Sequence, residues 1–175
     1  MLSLKFTPEY IFEKFSDASA EFLLSIGIKG IILDVDNTLE PYENEKPGDT
    51  VIEWYKSLRA CGISLAIVSN NNKARIDKFN AELNLPAYSK AKKPFPKNIY
   101  RAMSDIGTTK ENTIFMGDQV FTDVWAAHNA GLPAILVPPI KDKTDCFTKF
   151  KRWLEKPFIK KYRKKVAEGG EENER

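Results

Sequence analysis

Four groups of polar residues could perform chemistry together, although they lie far apart in the sequence. Three groups follow short apolar runs, and the lysine pair precedes a segment that a proline opens. The groups are Asp34, Asp36, Asn37 and Thr38; Ser69 and Asn70; Lys92 and Lys93; and Gly117, Asp118 and Asp123.

Convergence of Asp34, Asp36 and Asp118 would place three carboxylates around one point. Such carboxylates repel one another unless a cation neutralises them. Oxygen ligands without thiolate or imidazole select a hard ion, and Mg²⁺ is the commonest with phosphate substrates. One carboxylate could then attack phosphorus, while a second acidic group protonates the leaving oxygen and later deprotonates water. Lys93 and Ser69 could stabilise the transferred phosphoryl group.

The elements that would position these groups alternate between strand-like and helix-like segments. This alternation predicts an α/β fold with an open, mostly parallel sheet and helices on both faces. Functional residues in such sheets lie just past the carboxyl ends of strands. The four polar groups all fall at this edge of the predicted sheet, and packing alone does not explain that coincidence. We predict strands at 29–35, 64–69, 113–116 and 134–137, helices after Asp49, Asn70–Asn72, Pro96 and Phe121, and a loop at 86–96.

Composition and charge limit the other possibilities. The 175 residues are 42% hydrophobic and 29% charged, which indicates one globular domain. Two cysteines and one histidine exclude a disulfide scaffold and a histidine-rich metal centre. The segments between the polar groups are short, and a predicted helix fills each of them, so we expect no large cap domain.

Basic charge is concentrated near the C-terminus. Residues 141–165 hold eleven Lys/Arg and three acids, a net charge of +8, against +3 for the whole chain. Aromatic residues interleave with these cations, a pattern typical of membrane surfaces, of nucleic-acid binding, or of a solvated helix packed on the domain. We predict a helical N-terminal segment at 1–25 packed on the core, a core domain at 26–140, a basic helical segment at 141–168 and a disordered tail at 169–175.

The motifs resemble those of a known superfamily. DVDNT at 34–38, Ser69 after a strand, Lys93 in KKPFP and GDQVFTD at 117–123 resemble the four ordered motifs of the haloacid dehalogenase (HAD) superfamily. More narrowly, the sequence is similar to YqeG-type phosphatases of subfamily IIIA in the segments DVDNTL, SNN, AKKPFPKNIYRAM and GDQVFTDVWAAHNAG. These phosphatases resemble phosphatidylglycerophosphate phosphatases. This resemblance implies a HAD-like Rossmannoid three-layer fold and an Mg²⁺-dependent phosphomonoester hydrolase that works through an aspartyl-phosphate.

The resemblance also implies roles for the acidic residues. Asp34 would be the nucleophile and a ligand of Mg²⁺. Asp36 would be the general acid and base, with its backbone carbonyl on the metal. Asp118 would bind the metal directly, and Asp123 would stand behind the metal ligands.

The remaining roles concern the phosphate. Asn37 and Thr38 would shape their loop and offer hydrogen-bond donors. Ser69, helped by Asn70, would donate to the transferred phosphoryl group. Lys93 would neutralise the charge that the nucleophile and the phosphate share.

Several alternatives stay open from the sequence. Lys92 replaces Lys93 at the phosphate if the loop is shifted by one residue. The site could instead be vestigial in a binding module for RNA, a ribosome or a GTPase partner. The substrate could be a soluble sugar phosphate or a phosphoprotein rather than a phospholipid.

The expected location follows from two features of the chain. Neither an export signal nor a transmembrane segment is recognised in the sequence, so we expect a cytoplasmic protein. DNA is not among the expected partners. The segment at 146–165 is the candidate for peripheral contact with the inner face of the membrane.

Overall fold

A six-stranded, wholly parallel sheet forms the centre of the protein. The computed structural model describes residues 5–141, 153–160 and 162. The strands are β1 (Tyr10–Ile11), β2 (Gly30–Leu33), β3 (Ser64–Val68), β4 (Ala87–Tyr88), β5 (Thr113–Gly117) and β6 (Ala134–Leu136). Their spatial order is β1-β6-β5-β2-β3-β4, and every neighbouring pair is parallel.

Helices connect the strands and cover both faces of the sheet. The α-helices are α1 (Ala20–Ser25), α2 (Asp49–Ala60), α3 (Lys73–Asn80), α4 (Lys97–Asp105) and α5 (Trp125–Ala130), followed by a helix at 153–160, here α6. Short 3-10 helices lie at Phe15–Asp17 and Lys110–Asn112, and a turn of π-helix at Val120–Val124 leads into α5.

Alternate strand residues enter two separate cores. Ile31 and Leu33 of β2 pack with α2 and α3, whereas Ile32 faces the layer formed by α4 and α5. Successive strand side chains point to opposite faces, so buried strands carry apolar residues at every position. The predicted three-layer α/β fold is thereby confirmed, and no large cap domain is inserted within residues 5–141.

Two short strands, β1 and β4, occur in segments that the sequence analysis predicts to be helix and loop. β1 occurs where we expect only helices, and its flanking residues bond to β6 through Glu9 N to Ala134 O and Phe12 N to Leu136 O, both 3.1 Å. β4 lies inside the predicted loop at 86–96. Each strand has two residues, too few to display an alternating pattern.

Helix ends also differ from the sequence expectations by a residue or more. Gly48 rather than Asp49 caps α2, and Asn72 caps α3 with a side chain that accepts from Arg75 N. The segment that we predict to be a single helix from Phe121 begins instead with π-helical geometry. Gly131 ends α5 with a φ of 80°, a left-handed conformation that glycine adopts readily.

The C-terminal region is described only in part. The predicted disordered tail at 169–175, Cys146 and most of the basic segment lie outside the described residues. None of the helices in the described part of the chain combines the length and apolar character needed to cross a bilayer.

A polar contact fastens the N-terminal segment to α5. His128 Nδ1 lies 2.8 Å from Lys5 O and its Nε2 lies 3.0 Å from Glu9 Oε2. Both partners are acceptors, so the protonated imidazole satisfies both contacts. Burial disfavours the charged form of His128, but the hydrogen bond and negative charge of Glu9 outweigh burial and raise the pKa of His128. Burial likewise disfavours the charged form of Glu9, but the hydrogen bond from His128 outweighs it and lowers the pKa of Glu9.

This pair should make stability depend on pH. The raised pKa of His128 gives stability that is complete below its usual value of 6.5 and lost as pH rises through the folded value. The lowered pKa of Glu9 gives stability that is complete above 4.5 and lost as pH falls through its folded value. Glu9 is 42% exposed at its side chain, so the pair should contribute no more than about 1 kcal/mol.

We expect the difference in unfolding free energy between the wild type and His128→Gln to peak between pH 4.5 and 6.5. It should shrink as pH rises further, as measured by urea unfolding across the pH range. Subtracting the unfolding free energy of the variant from that of the wild type cancels the contributions of groups outside this pair. A difference that stays constant with pH would contradict the assignment.

Candidate active site

The ends of three neighbouring strands bring the polar groups to one edge of the sheet. Asp34 follows β2, Ser69 follows β3 and Asp118 follows β5. Leu33 pairs with Ile67 on one side and Met116 on the other, so the three strands end at nearly the same level. The chain thus gathers residues that lie far apart in sequence.

Three buried carboxylates converge at this edge. Asp34, Asp118 and Asp123 each offer an oxygen, and these oxygens lie within 4.8 Å of one another. Their residues are 6%, 1% and 1% exposed. Asp123, which we expect behind the metal ligands, therefore lies in the same cluster as the other two.

Lys93 enters the cluster from the loop after β4. Its Nζ lies 2.8 Å from Asp34 Oδ1 and 2.7 Å from Asp123 Oδ1. Burial opposes its charge, but the carboxylates of Asp123 and Asp34 outweigh burial and raise the pKa of Lys93. Lys92 is exposed, so the structure brings Lys93 and not Lys92 to the carboxylates.

The charge of the cluster suits a divalent cation. With all three carboxylates ionised, the cluster and its one ammonium group carry two net negative charges in a buried space. Burial raises the pKa of Asp34 to about 6; Lys93 opposes this shift, and the negative charges of Asp123 and Asp36 add to it. A bound cation would relieve this repulsion, and the all-oxygen donor set fits a hard ion such as Mg²⁺.

Asp36 is held outside the carboxylate cluster. Arg75 donates to its Oδ1 from Nε at 3.1 Å, and Arg75 Nη2 lies 3.0 Å from the same oxygen. Asn71 Nδ2 donates to Oδ2 at 2.7 Å. The side chain of Asp36 is thus fixed by two residues of the connection between β3 and β4. The metal contact expected through the backbone carbonyl of Asp36 stays a prediction.

The sequence analysis does not single out Arg75 or Asn71. Arg75 is only 8% exposed, although it lies on a short polar helix whose charges appear ordinary in the sequence. Asn71 belongs to the SNN motif, and that signal could have included it. Both act on Asp36 across a long sequence separation, which local patterns do not reveal.

The other predicted phosphate-binding residues surround the same edge. Thr38 is buried, with its Oγ1 3.4 Å from Asp118 Oδ1. Asn37 adopts a φ of 64°, which asparagine tolerates better than most residues, and it shapes the turn after β2. Ser69 is 2% exposed, and its Oγ accepts from Asn71 N at 3.2 Å.

Asn70 has a clear structural role. Its Oδ1 accepts from Lys93 N at 2.7 Å, and its Nδ2 donates to Lys93 O at 3.3 Å. The side-chain amide therefore binds both backbone groups of Lys93. This contact positions the loop that delivers the lysine to the carboxylates.

The loop after β5 is held in place from two directions. Asp123 Oδ2 accepts from Gln119 N at 3.0 Å, closing the turn that carries Asp118. Glu155 of α6 is 2% exposed, and its Oε1 accepts from Val120 N at 3.0 Å. The C-terminal helix thus caps the π-helical turn that presents Asp123.

Comparison with known proteins agrees with this architecture. A model of the haloacid dehalogenase-like hydrolases matches residues 6–137. The sequence is 33% identical over 165 residues to the Probable phosphatase YqeG of Bacillus subtilis (strain 168), a match that covers 94% of this chain and 96% of that protein.

Two solved structures share the fold. The cobalt-bound deoxy-D-mannose-octulosonate 8-phosphate phosphatase of Haemophilus influenzae aligns with a TM-score of 0.54 and 19% identity, covering 71% of this chain and 75% of that chain. A HAD-superfamily hydrolase of Ehrlichia chaffeensis aligns with a TM-score of 0.52 and 20% identity, covering 73% and 98%.

All six strands fall within the matched residues, and the chain belongs to the haloacid dehalogenase-like hydrolase family. Within this family it is a phosphatase, an enzyme that hydrolyses phosphoric monoesters. The resemblance predicted from the motifs is confirmed.

Gly117 allows Asp123 to approach the sheet. A Cβ added at Gly117 would collide with Cβ, Cγ and Oδ2 of Asp123. We expect Gly117→Ala to displace Asp123, which pairs with Lys93 beside Asp34, and to lower kcat about 10- to 100-fold, since shifts of about 1 Å at a site have effects of this size. Phosphate release from an aryl phosphate measures the change.

Gly30→Ala is the matched control for this substitution. Its added carbon would meet Cγ2 of the Thr108 side chain at 2.7 Å, at the opposite end of β2 from Asp34. We expect its turnover to stay close to that of the wild type. Equal turnover for both variants, with both folded by circular dichroism, would contradict the role given to Gly117.

Proposed function

We propose that this phosphatase works through a phosphorylated Asp34. The observation that carries the proposal is the buried ion pair of Lys93 with Asp34 and Asp123, set at the strand ends beside Asp118. A lysine in this position can neutralise the negative charge that a carboxylate and an incoming phosphoryl group share.

The reaction would proceed in two displacements. An oxygen of the Asp34 carboxylate attacks phosphorus, and the bond from phosphorus to the ester oxygen breaks to give an aspartyl-phosphate and the free alcohol. Water then attacks phosphorus, the bond to Asp34 breaks, and inorganic phosphate leaves. Ser69, Asn70, Asn37 and Thr38 are the proposed donors around the phosphoryl group, with Ser69 and Thr38 already facing the buried edge.

Proton transfer is assigned to Asp36. Its carboxyl group would protonate the leaving oxygen in the first displacement and accept a proton from water in the second. Arg75 and Asn71 occupy its oxygens in the present conformation, so transfer requires exchanging one of these contacts for one to the leaving group. Both are positioning residues for Asp36.

Mg²⁺ is the proposed metal. Asp34 and Asp118 would hold it with the backbone carbonyl of Asp36, and the proximity of Asp123 to both carboxylates makes it a further candidate. When bound, the ion supplies positive charge that stabilises the phosphoryl group during transfer. The protein's own contribution is the rigid placement of these oxygens at the strand ends.

Asp34→Asn should reduce phosphate release by about 1,000-fold or more, because the amide is a poor nucleophile toward phosphorus. The wild type should also retain labelled phosphate after acid quenching, whereas the variant should not. EDTA should abolish turnover, and added Mg²⁺ should restore it.

Asp49→Asn is the control for these measurements. Asp49 is an exposed acid at the start of α2, outside the carboxylate cluster. Its turnover should match that of the wild type. Full turnover by Asp34→Asn would overturn the nucleophile assignment, and turnover that resists EDTA would overturn the assignment of a metal.

The proposed substrate is phosphatidylglycerophosphate at the inner face of the membrane. The mouth of the site has no inserted domain within residues 5–141, which suits a bulky headgroup. On one side of α6, the ring centroid of Phe158 lies 5.2 Å from that of Phe6. Elsewhere on the helix, Trp153 is 61% exposed, and Lys156 and Lys160 are also exposed. This helix therefore offers an aromatic and basic surface while its other side is anchored in the core.

Reversing the charge of α6 tests the membrane contact without removing a helix that the core needs. We expect Lys156→Glu/Lys160→Glu to bind anionic vesicles at least about tenfold more weakly, since each basic residue near anionic lipid contributes about 1 kcal/mol. Hydrolysis of a soluble aryl phosphate should be retained. Vesicle flotation and phosphate release measure the two effects.

The control for this pair is Lys56→Glu/Arg59→Glu on α2. That helix packs on the opposite face of the sheet from α6, so its charges should not affect vesicle binding. Equal loss of vesicle binding in both pairs would contradict a specific surface on α6. Unchanged binding in the α6 pair would overturn its membrane role.

A further inference from the structure

A cationic cavity lies beside the loop that delivers Lys93. Its volume is about 610 Å³, within the size range of small-molecule sites. It lies between the loop at 90–96 and the first turns of α4. The side chains that define its character are those of Lys90, Lys92, Phe95, Lys97, Tyr100 and Arg101.

Every charged side chain among the described residues that line this cavity is a cation. None of its four cations makes an ion pair with a described carboxylate. Four like charges around one concave space repel one another, and an anion would relieve that repulsion.

Two of these cations have an unusual backbone conformation. Lys90 and Lys92 have φ values of 45° and 58°, a region that residues other than Gly, Asn and Asp seldom adopt. Conformations of this kind persist where the surrounding structure fixes them and gather at ligand sites. Here the loop is fixed by Asn70 at Lys93 and by Asn98 Nδ2, which donates to Ala91 O at 3.3 Å.

The cavity and the carboxylate cluster share one stretch of chain. The side chain of Lys93 is buried against Asp34 and Asp123, while that of its neighbour Lys92 is exposed and lines the cavity. Consecutive residues thus serve the two spaces. The cavity therefore begins one residue away from the lysine that pairs with Asp34.

Exposed aromatic rings border the same cavity. Phe95 is 69% exposed and Tyr100 is 41% exposed. Large exposed rings next to convergent cations favour a ligand that combines an anionic group with an apolar or neutral body. A free inorganic anion would use the charges and leave the rings uncovered.

We propose that this cavity binds a second phosphate group of the substrate, distinct from the phosphomonoester that is hydrolysed. This inference rests on the proposed function and assigns a binding site to the second phosphate group that such a substrate carries. The second group is either the phosphodiester of a lipid headgroup or a phosphate of a soluble bisphosphate. The two sources present the same anionic chemistry to the cavity.

The experiment compares substrates that differ by one phosphate. Propane-1,3-diol bisphosphate and propyl phosphate form the soluble pair, and a short-chain phosphatidylglycerophosphate provides the lipid arm. The variant Lys97→Gln/Arg101→Gln changes α4 and leaves the Lys93 loop intact. We expect the ratio of kcat/KM for the bisphosphate to that for the monophosphate to fall about tenfold, through KM, because charged hydrogen bonds to phosphate are lost.

A second variant and a control complete the test. Lys90→Gln/Lys92→Gln should lower the same ratio, and Lys56→Gln on α2 should leave it unchanged. Calorimetric binding of the bisphosphate to Asp34→Asn protein, with and without the α4 substitutions, reports the cavity independently of turnover. A lower ratio for both diphosphorylated substrates supports a general second-phosphate site, and a loss confined to the lipid arm supports the lipid headgroup as its source.

The outcomes separate this inference from the proposed function. If the protein hydrolyses monophosphates and neither pair of substitutions changes the ratio or the binding, the second-phosphate site is wrong and the phosphatase assignment stands. If no phosphomonoester is hydrolysed, the proposed function fails, and weaker calorimetric binding in the α4 variant would still support the cavity as an anion site.

Discussion

The ion pairs of one buried ammonium group with two carboxylates constrain the structure of the active site. Lys93 is the cation that offsets charge between Asp34 and Asp123, and all three side chains are nearly removed from water. Buried charges are tolerated only when they are paired or bound to further ions. With Asp118 included and all three carboxylates ionised, two negative charges lack a cation, and a bound metal ion at the strand ends would offset them.

The surrounding structure is arranged to hold this unfavourable cluster together. Asn70 fixes the backbone of Lys93, and the missing side chain of Gly117 lets Asp123 lie against the strand end. Glu155, far along the chain, caps the turn that carries Asp123. Because each contact comes from a different element, the geometry depends on the packed domain as a whole rather than on one loop. A π-helical turn at this position is consistent with the frequent use of such turns at functional sites.

Sequence reasoning identifies the strand-end residues because they follow recognisable apolar runs. Asp34, Ser69 and Asp118 each stand directly after a buried strand, so the parallel-sheet rule locates them without coordinates. Arg75 could not be found in this way, since its burial results from a contact with Asp36 across the sheet edge. β1 and β4 fail for another reason: two residues bond to an existing edge without displaying a period of their own.

The same guanidinium that holds Asp36 also holds the loop at the mouth of the site. Arg75 Nη1 donates to Glu45 O at 3.1 Å, and Lys78 lies 2.7 Å from the Glu45 carboxylate. The loop at 40–48 is therefore attached to α3 rather than folded over the carboxylate cluster. Since one side chain joins this loop to Asp36, a displacement of the loop changes the surroundings of Asp36. The loop at 40–48 and the side chain of Asp36 are thus physically linked through Arg75, and no separate cap domain is inserted within residues 5–141.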